Sequence, residues 1–373
     1  MTTVRGLVVG DPHFHQSQVL DIDSFIVKTE TALRRLKPDF IVITGDLLND
    51  HEKCHMDAYT RAVRFLELCA QHVITFLVIG NHDRRNNSDF LSELHFFSAM
   101  KHCANLVIVD YPLKYEVKAR NSEARANFLF VPYVAPGRFS EALDRIDLSE
   151  LEEAGWRSPS IDAIFAHQEF EGVHMGPIKS VNGDKWDASW PLVISGHIHE
   201  YQVLQANIIY PGTPLQHTFS ESPDKAIILF EFNTQYHEEA VPLEEAKSLD
   251  ALRPDDYVKT RYARIDLGMR KKVQTQITVA QVARFQPRAN ELTKLLIKGT
   301  ASELKALGKT TTLERLRKLG VKFAFAPTED VDVTVPSDSR ETVQRSYLEL
   351  FRSVVEYDEE LLQCFERLFA SAQ

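Results

Sequence analysis

The sequence has few cysteines and no long apolar run. The four cysteines, Cys54, Cys69, Cys103 and Cys364, are scattered and form no Cys-x-x-Cys pair. This argues against a disulfide framework and predicts free thiols in a reducing compartment. The longest apolar runs have only the length of a β-strand, so no membrane span is expected. The N-terminus enters a strand without the apolar core of a signal peptide.

The composition is that of a globular protein with an uneven charge. The 373 residues leave room for two or three domains, and 44% of them are hydrophobic. The net charge of −10 is made up of −14 in residues 1–252, +11 in residues 253–325 and −7 in residues 326–373. A basic block between acidic segments predicts a separate unit with an anionic partner. The alternative is a solvated, lysine-rich surface.

Strand-like and helix-like segments alternate in the first 232 residues. This alternation predicts an α/β fold in which helices cover the sheet, and the later, closely spaced strands suggest either a mixed sheet or a second sheet packed on the first. The predicted strands are 5–10, 39–44, 73–79, 106–109, 128–131, 161–166, 192–195, 208–210 and 226–232, and the predicted helices are 22–36, 57–71, 89–102 and 140–154.

The remainder of the chain predicts two smaller units. An acidic, proline-containing segment places a boundary near Leu252. Strands at 262–267, 323–325 and 331–335 and helices at 291–297 and 311–319 predict a small α+β domain. Two amphipathic helices, 339–355 and 358–370, follow Pro336 and predict a helical hairpin. The predicted domains are therefore 1–252, 253–336 and 337–373.

Polar clusters follow five of the predicted strands. They are Asp11-Pro12-His13, Gly45-Asp46, Gly80-Asn81-His82-Asp83, Ala166-His167 and Gly196-His197-Ile198-His199. Open α/β sheets bind ligands at the carboxyl ends of their strands, so we expect these clusters to meet. Their carboxylates, amide and imidazoles are ligands of Mn²⁺, Fe²⁺ and Zn²⁺, and no thiolate takes part.

The spacing within the clusters supports a metal site. Asp11 and His13 are two residues apart, as are His197 and His199, and such pairs share one face of an extended chain. Asp46 stands alone and is suited to bridging two ions through its two oxygens. Each motif alone has a simpler explanation, such as a turn with a surface histidine. Five of them at strand ends do not.

This ordered set resembles the signature of the calcineurin-like metallophosphoesterases. The resemblance implies a two-sheet β-sandwich flanked by helices, with two divalent metal ions at the strand ends. It implies that one ion is held by Asp11, His13, Asp46 and His199, and the other by Asp46, Asn81, His167 and His197. Two such ions, roughly 3.5–4 Å apart, clamp a phosphate and activate a water for in-line attack. By the same resemblance His82 is a catalytic non-ligand, and Asp83 orients its ring.

Further features resemble the SbcD-type nucleases of double-strand-break repair. They are Gly45-Asp46-Leu47-Leu48, the Glu200 that follows the last histidine motif, and Tyr210-Pro211-Gly212-Thr213-Pro214. The resemblance implies a Mn²⁺-dependent DNA exonuclease and endonuclease with a capping domain, in the cytoplasm of a bacterial or phage-infected cell or in a eukaryotic nucleus. One position departs from the pattern, because Asn49 stands where many relatives have a histidine; His51 or His55 is a candidate substitute.

The same resemblance implies two protein partners. A second copy is expected on the helices predicted at 57–71 and 89–102, whose alternative role is to cover their own sheet. A coiled-coil ATPase of the SbcC type is expected on the terminal hairpin, whose alternative role is to pack on the capping domain.

The basic block supplies candidate DNA contacts. Lysine and arginine contacts to phosphates give affinity that depends on salt and not on base sequence. The predicted contacts are Arg270, Lys271, Lys272, Arg284, Arg288, Arg315, Arg317 and Lys318. The rival enzyme class is a phosphodiesterase for small molecules or cyclic nucleotides on the same metal core. A scaffold whose metal site has lapsed is the non-enzymatic alternative, and the complete ligand set argues against it.

Overall fold

The computed structural model describes residues 3–51, 53–148, 155–158, 160–232, 236–237, 241–242 and 260–328. The predicted strand at 331–335 and both terminal helices lie outside these residues. Two large sheets flanked by helices form the main body, which confirms the predicted fold class. Of the helices in the described ranges, none is both long enough and apolar enough to cross a bilayer.

The first sheet has a parallel centre. Its described strands, in spatial order, are β14 (Tyr236–His237), β16 (Thr260–Asp266), β13 (Ile227–Phe232), β1 (Val4–Val9), β2 (Phe40–Ile43), β3 (Ile74–Val78) and β4 (Leu106–Val109), and β15 (Val241–Pro242) pairs with β16. β1 to β4 run parallel, whereas β13 is antiparallel to β1 and to β16. The helices α1 (Val19–Leu36) and α2 (Met56–His72) cover one face.

The second sheet lies opposite the uncovered face of the first. Its order is β11 (Gln202–Gln205), β12 (Ile208–Tyr210), β10 (Val193–Gly196), β7 (Ala163–His167), β6 (Arg125–Val131) and β5 (Leu113–Lys118). The short helix α3 (Phe139–Leu143) packs on its outer face, and β8 (His174–Met175) and β9 (Ile178–Lys179) form a separate hairpin.

Alternating side chains build the layers of this sandwich. Val8 points into the core between the sheets, while its neighbours Leu7 and Val9 point into the core under α1 and α2. Phe76 of the first sheet stacks on Phe130 of the second, with ring centroids 4.2 Å apart. Full burial of one such ring stabilises the fold by about 1.5–3 kcal/mol. The interlocked aromatic layer therefore holds the two sheets, and the ends of their strands, in register.

Of two helices predicted in the first domain, one is absent and the other is shorter than expected. Residues 89–102 form no α-helix, and their only helical segment is the 3-10 turn Ser98–Met100. Local side chains take the backbone donors that a helix would use, since Asn86 accepts from the amides of Ser88 and Asp89, and His95 accepts from that of Phe97. The predicted helix 140–154 ends at Leu143 as α3, and residues 149–154 lie outside the described ranges.

The basic part of the chain forms a third, all-parallel sheet. Its strands are β17 (Lys271–Thr278), β18 (Glu291–Gly299) and β19 (Lys322–Pro327), with helices α4 (Val279–Val282), α5 (Ala301–Leu307) and α6 (Thr311–Lys318) packed against it. The helix predicted at 291–297 is wrong, because Thr293, Leu295 and Ile297 are buried at the two-residue period of a strand. The strand predicted at 262–267 exists as β16, but it pairs with β13 in the first sheet.

Candidate metal centre

The ends of five parallel strands meet at one edge of the sandwich. β1, β2 and β3 end together in the first sheet, and β7 ends beside β10 in the second, where His167 pairs with Gly196. The structure brings all seven predicted metal ligands to this edge: Asp11, His13, Asp46, Asn81, His167, His197 and His199. Of these, Asp11, His13, Asp46, Asn81 and His167 are buried.

Asp46 lies at the centre of the cluster. Its Oδ2 is 3.6 Å from Nε2 of His13, 3.4 Å from Nε2 of His167 and 4.0 Å from Nε2 of His82. Two three-residue groups with the spacing of a metal site share this carboxylate. One combines it with His13 and His82, and the other with His167 and His197. The arrangement provides two adjacent ion positions with one bridging group.

Two glycines make this close approach possible. Asp46 follows Gly45, whose φ of +106° is a conformation that L side chains rarely adopt, and a Cβ on Gly45 would lie 2.3 Å from Nδ1 of His167. A Cβ on Gly80 would lie 2.2 Å from Oδ1 of Asp46. Any larger residue at either position would push a ligand out of the cluster.

His167, Asn81 and His197 form the inner half of the centre. His167 donates from Nδ1 to the carbonyl of Thr44 at 2.8 Å, which leaves Nε2 facing Oδ1 of Asn81 at 3.0 Å. His197 donates from Nδ1 to the same amide oxygen at 3.0 Å. The bond to Thr44 fixes the His167 ring and directs Nε2 toward Asp46, as outer partners do for metal-binding histidines.

The charges of the centre are arranged for a cation. Burial lowers the pKa of His167, but the carboxylates of Asp46 and Asp11 outweigh burial and raise that pKa to about 9. Burial raises the pKa of Asp46, and the opposing field of His167 overcomes it, so the pKa lies below its ordinary value. Burial, with the added repulsion of Asp46, holds the pKa of Asp11 well above its ordinary value. Without an ion, a proton on His167 balances the buried carboxylates.

Metal binding is therefore expected to release protons. A ligand nitrogen must be deprotonated, so below the His167 pKa of about 9 the ion that His167 binds displaces roughly one proton from this ring. The affinity for this ion should therefore rise as the pH increases from 7 toward 9 and level off above pH 9. Titration calorimetry in buffers of different ionisation enthalpy measures the released protons. Binding at pH 7.5 without proton release would contradict the assigned role of His167.

The unsatisfied polar atoms of the cluster fit a divalent ion. Neither ring nitrogen of His13 has a hydrogen-bond partner among the described residues, although both are buried. Burying such atoms without partners is costly, and coordination removes the cost. Together with the carboxylates of Asp11 and Asp46, the imidazole nitrogens suit ions such as Mn²⁺, Fe²⁺ or Zn²⁺.

His82 stands at the solvent side of the cluster, and its support differs from the prediction. Nδ1 of His82 donates to the carbonyl of Asn49 at 2.5 Å, and the His51 ring lies 4.1 Å away, centroid to centroid. Asp83 does not orient the His82 ring. It accepts instead from the amides of Leu48 and Gly80, each at 3.1 Å. Asp83 therefore braces the two ligand-bearing loops, and the backbone of Asn49 positions His82.

The predicted DNA contacts occupy different surroundings. Lys271, Arg284, Arg315, Arg317 and Lys318 are exposed. Arg315 also donates to the carbonyl of Phe285 at 3.3 Å, and the remaining three make further contacts within the chain, although Arg288 is exposed as well. Arg270 forms two hydrogen bonds with Asp21, Arg288 is 3.7 Å from Glu291, and Lys272 is only 8% exposed, with Nζ donating to the carbonyl of His217 at 2.7 Å. Lys272 is thus committed to an internal contact.

Several residues near the centre have no sequence signal of their own. Lys225 donates from Nζ to the carbonyl of His199 at 3.0 Å, and Glu169 lies 3.9 Å from Nε2 of His197. His217 approaches from the segment after the last motif, and burial, with the repulsion of His199, holds its pKa well below the ordinary value. The Pro-Gly-Thr-Pro turn at 211–214 marks the segment that carries His217, but nothing in the sequence indicates where its side chain lies.

The first part of the chain matches a known family. Residues 4–201 match the family described as calcineurin-like phosphoesterase, a match that contains all five polar clusters. The chain belongs to the calcineurin-like phosphoesterase family. It is a phosphoesterase on a scaffold that uses divalent metals, and its described residues include His and Asp groups that could hold such ions.

Two viral proteins align with this phosphoesterase over most of both chains. It is 38% identical to "Putative phosphoesterase 244L" of Invertebrate iridescent virus 6, over 83% of this chain and 99% of that protein. It is 35% identical to "Putative phosphoesterase 078R" of Invertebrate iridescent virus 3, over 88% and 86%. A solved structure, "GAP50 the anchor in the inner membrane complex of Plasmodium", aligns with a TM-score of 0.38 and 17% identity, over 63% of this chain and 82% of that one.

Proposed function

We propose that this phosphoesterase is a Mn²⁺-dependent DNA nuclease of the SbcD type, with double-strand exonuclease and single-strand endonuclease activity. The observation that carries the proposal is a basic sheet attached directly to the rim of the metal centre. Residues 267–328 contain 13 Lys and Arg against three Asp and Glu, a net charge of +10. A phosphodiesterase for small substrates needs no such surface.

The segment 215–221 forms the attachment. Gln216 donates to the carbonyl of Lys272 at 2.9 Å and accepts from its amide at 2.7 Å, which joins the segment to β17. Three residues after Gln216, the ring centroid of Phe219 lies 5.9 Å from Nζ of Lys294 and 5.8 Å from that of Lys322. Positive groups of β18 and β19 therefore lie beside the segment that carries His217, and His217 contacts the ligand histidines. A DNA strand at the centre would meet these charges.

The residues of the centre then have defined tasks. Bound ions supply Lewis acidity at the phosphate and an activated water. Asp11, His13, Asp46 and His199 would hold one ion, and Asp46, Asn81, His167 and His197 the other. His82, whose side chain is 30% exposed, donates a proton to the leaving oxygen or stabilises the charge that builds on it. The carbonyl of Asn49 fixes the His82 ring for that role.

A nuclease assay tests the proposal. End-labelled duplex and circular single-stranded DNA are incubated with the protein in Mn²⁺, Mg²⁺ or chelator, beside bis(p-nitrophenyl) phosphate and a cyclic nucleotide. Cutting of both DNA forms in Mn²⁺ is expected, and chelator should abolish it. Hydrolysis of the small diesters with intact DNA would favour the rival phosphodiesterase and reject the nuclease.

The basic surface gives a second, independent measurement. Replacing Arg315, Arg317 and Lys318 of α6 by alanine should weaken duplex binding, and each lost phosphate contact should reduce the slope of log K against log salt by about 0.9. The matched control removes three exposed lysines far from α6 in sequence, Lys37, Lys118 and Lys185. Equal slopes for wild type, variant and control would mean that α6 does not touch DNA.

The proposal includes two protein partners. The ATPase of the SbcC type would bind residues 337–373, which lie outside the described ranges; pull-down with a chain ending before Ser339 tests this. The homodimer would use the surface of α2 and residues 89–102. Ala62, Leu66 and Phe97 of that region are buried in the core of this chain, which leaves Met56 and Leu94 among the exposed apolar groups. Sedimentation of the purified protein measures the oligomeric state.

A further inference from the structure

The imidazole of His217 lies beside the metal centre but has no role in the mechanism described above. His217 lies outside the five polar clusters and beyond residues 4–201, which match the family. Its Nε2 is buried and has no hydrogen-bond partner among the described residues. A buried nitrogen of this kind is unfavourable unless something that the described residues do not supply satisfies it. A metal ion is one such group.

The backbone around His217 is fixed from several directions. Its amide donates to Oε2 of Glu221 at 2.9 Å, and its carbonyl accepts from Nζ of Lys272 at 2.7 Å and from Nε2 of Gln18 at 3.2 Å. The preceding residue, Gln216, is bonded to β17 in both directions. These contacts fix the backbone from which the ring projects, so its place beside the centre is a property of the fold.

The ring lies close to two histidines of one ion position. A metal–nitrogen bond of about 2.1 Å puts a ring centroid about 3.2 Å from the ion, so two imidazoles on one ion have centroids at most about 6.4 Å apart. The centroids of His13 and His199 are 4.7 Å apart, those of His13 and His217 are 5.4 Å apart, and those of His199 and His217 are 6.0 Å apart. All three pairs satisfy this limit, which a shared ion requires. Among the described groups whose ligand atoms already lie within 4.8 Å of one another, His13 occurs but His199 and His217 do not, so coordination would need an inward turn of both rings.

We propose that His217 is an additional ligand, through Nε2, of the ion assigned to Asp11, His13, Asp46 and His199. The inference rests on the phosphoesterase metal centre and not on DNA as the substrate. It gives the basic unit a direct role at that centre, because Lys272 and its bonds to Gln216 and His217 set the position of the ligand. The other ion would be held by Asp46, Asn81, His167 and His197, so its binding should not depend on this ring.

Metal binding without substrate tests the inference. Wild type, His217→Ala and His217→Gln are stripped with chelator and titrated with Mn²⁺ by calorimetry, and bound metal is counted by mass spectrometry. The expected result is two ions in each protein, with the affinity for one of them at least about tenfold weaker in both variants and the other unchanged. The visible spectrum of bound Co²⁺ should change as well, because one of its ligands is lost.

His102→Ala is the matched control, since it removes an exposed imidazole remote in sequence from the centre. His217→Gln keeps a polar side chain in the space and serves if the alanine variant unfolds. Two ions bound with wild-type affinity and an unchanged Co²⁺ spectrum in the glutamine variant would overturn the inference alone. A wild-type protein that binds no ion would overturn the metal centre itself.

Discussion

Replacing Asp46 by asparagine should remove both ions and lower phosphodiester hydrolysis by at least about 10³-fold, since the carboxylate is shared by the two groups that can hold a metal. An amide keeps the shape of the side chain but loses the charge and cannot bridge two cations. The loss should appear first as metal content in the purified protein and then as the rate with bis(p-nitrophenyl) phosphate at saturating Mn²⁺.

The matched control for this variant is Asp57→Asn. Asp57 lies on α2 with its side chain 76% exposed, so the same chemical change there should alter neither metal content nor rate. If Asp46→Asn retained two ions and a rate within tenfold of wild type, the bridging assignment would be wrong.

His82→Ala should lower kcat by about 10²–10⁴-fold while both ions remain bound, because a positioned proton donor contributes that much to a transition state. The geometry makes the measurement decisive. Nε2 of His82 is 4.0 Å from Oδ2 of Asp46 and belongs to one of the two possible metal groups, so a ligand and a proton donor would occupy similar positions. Metal content separates the two roles.

His102→Ala again controls for the loss of an exposed imidazole, and His51→Ala examines the support of the His82 ring. The His51 ring packs against His82 at 4.1 Å, so its removal should reduce the rate far less than removal of His82. Loss of one ion in His82→Ala would assign His82 to coordination and would leave the proton donor unidentified.

Much of the site was predictable because its residues stand at the ends of parallel strands. The carboxyl ends of β1, β2 and β3 must lie side by side once these strands pair, and β7 and β10 obey the same rule in the other sheet. Polar clusters such as Asp11-x-His13 and His197-x-His199 therefore converge although up to 188 residues separate them in the chain. Strand periodicity, which is local, was enough to find them.

Two other segments were predicted wrongly, because the spacing of apolar residues does not show which groups will take the backbone hydrogen bonds. Residues 89–102 have apolar spacing typical of a helix, but the side chains of Asn86 and His95 satisfy the backbone instead. The apolar run Leu295-Leu296-Ile297 is compatible with either a helix or a strand. It forms a strand because it pairs with β17 on one side and β19 on the other. Polar side chains that are not part of the apolar spacing decided the first conformation, and neighbouring strands decided the second.

The amino-acid pattern was sufficient to predict the two-sheet fold, the family and the polar residues that gather at the strand ends, because regular strands carry recognisable residues to a common edge. Tertiary structure alone decided which residues support those ligands. Lys272 is an internal anchor and not a surface charge, Asp83 braces loops and not His82, and His217 faces the centre through bonds that span 56 residues. Such roles depend on contacts between irregular segments, whose positions follow from the packing of the whole chain and not from any local repeat.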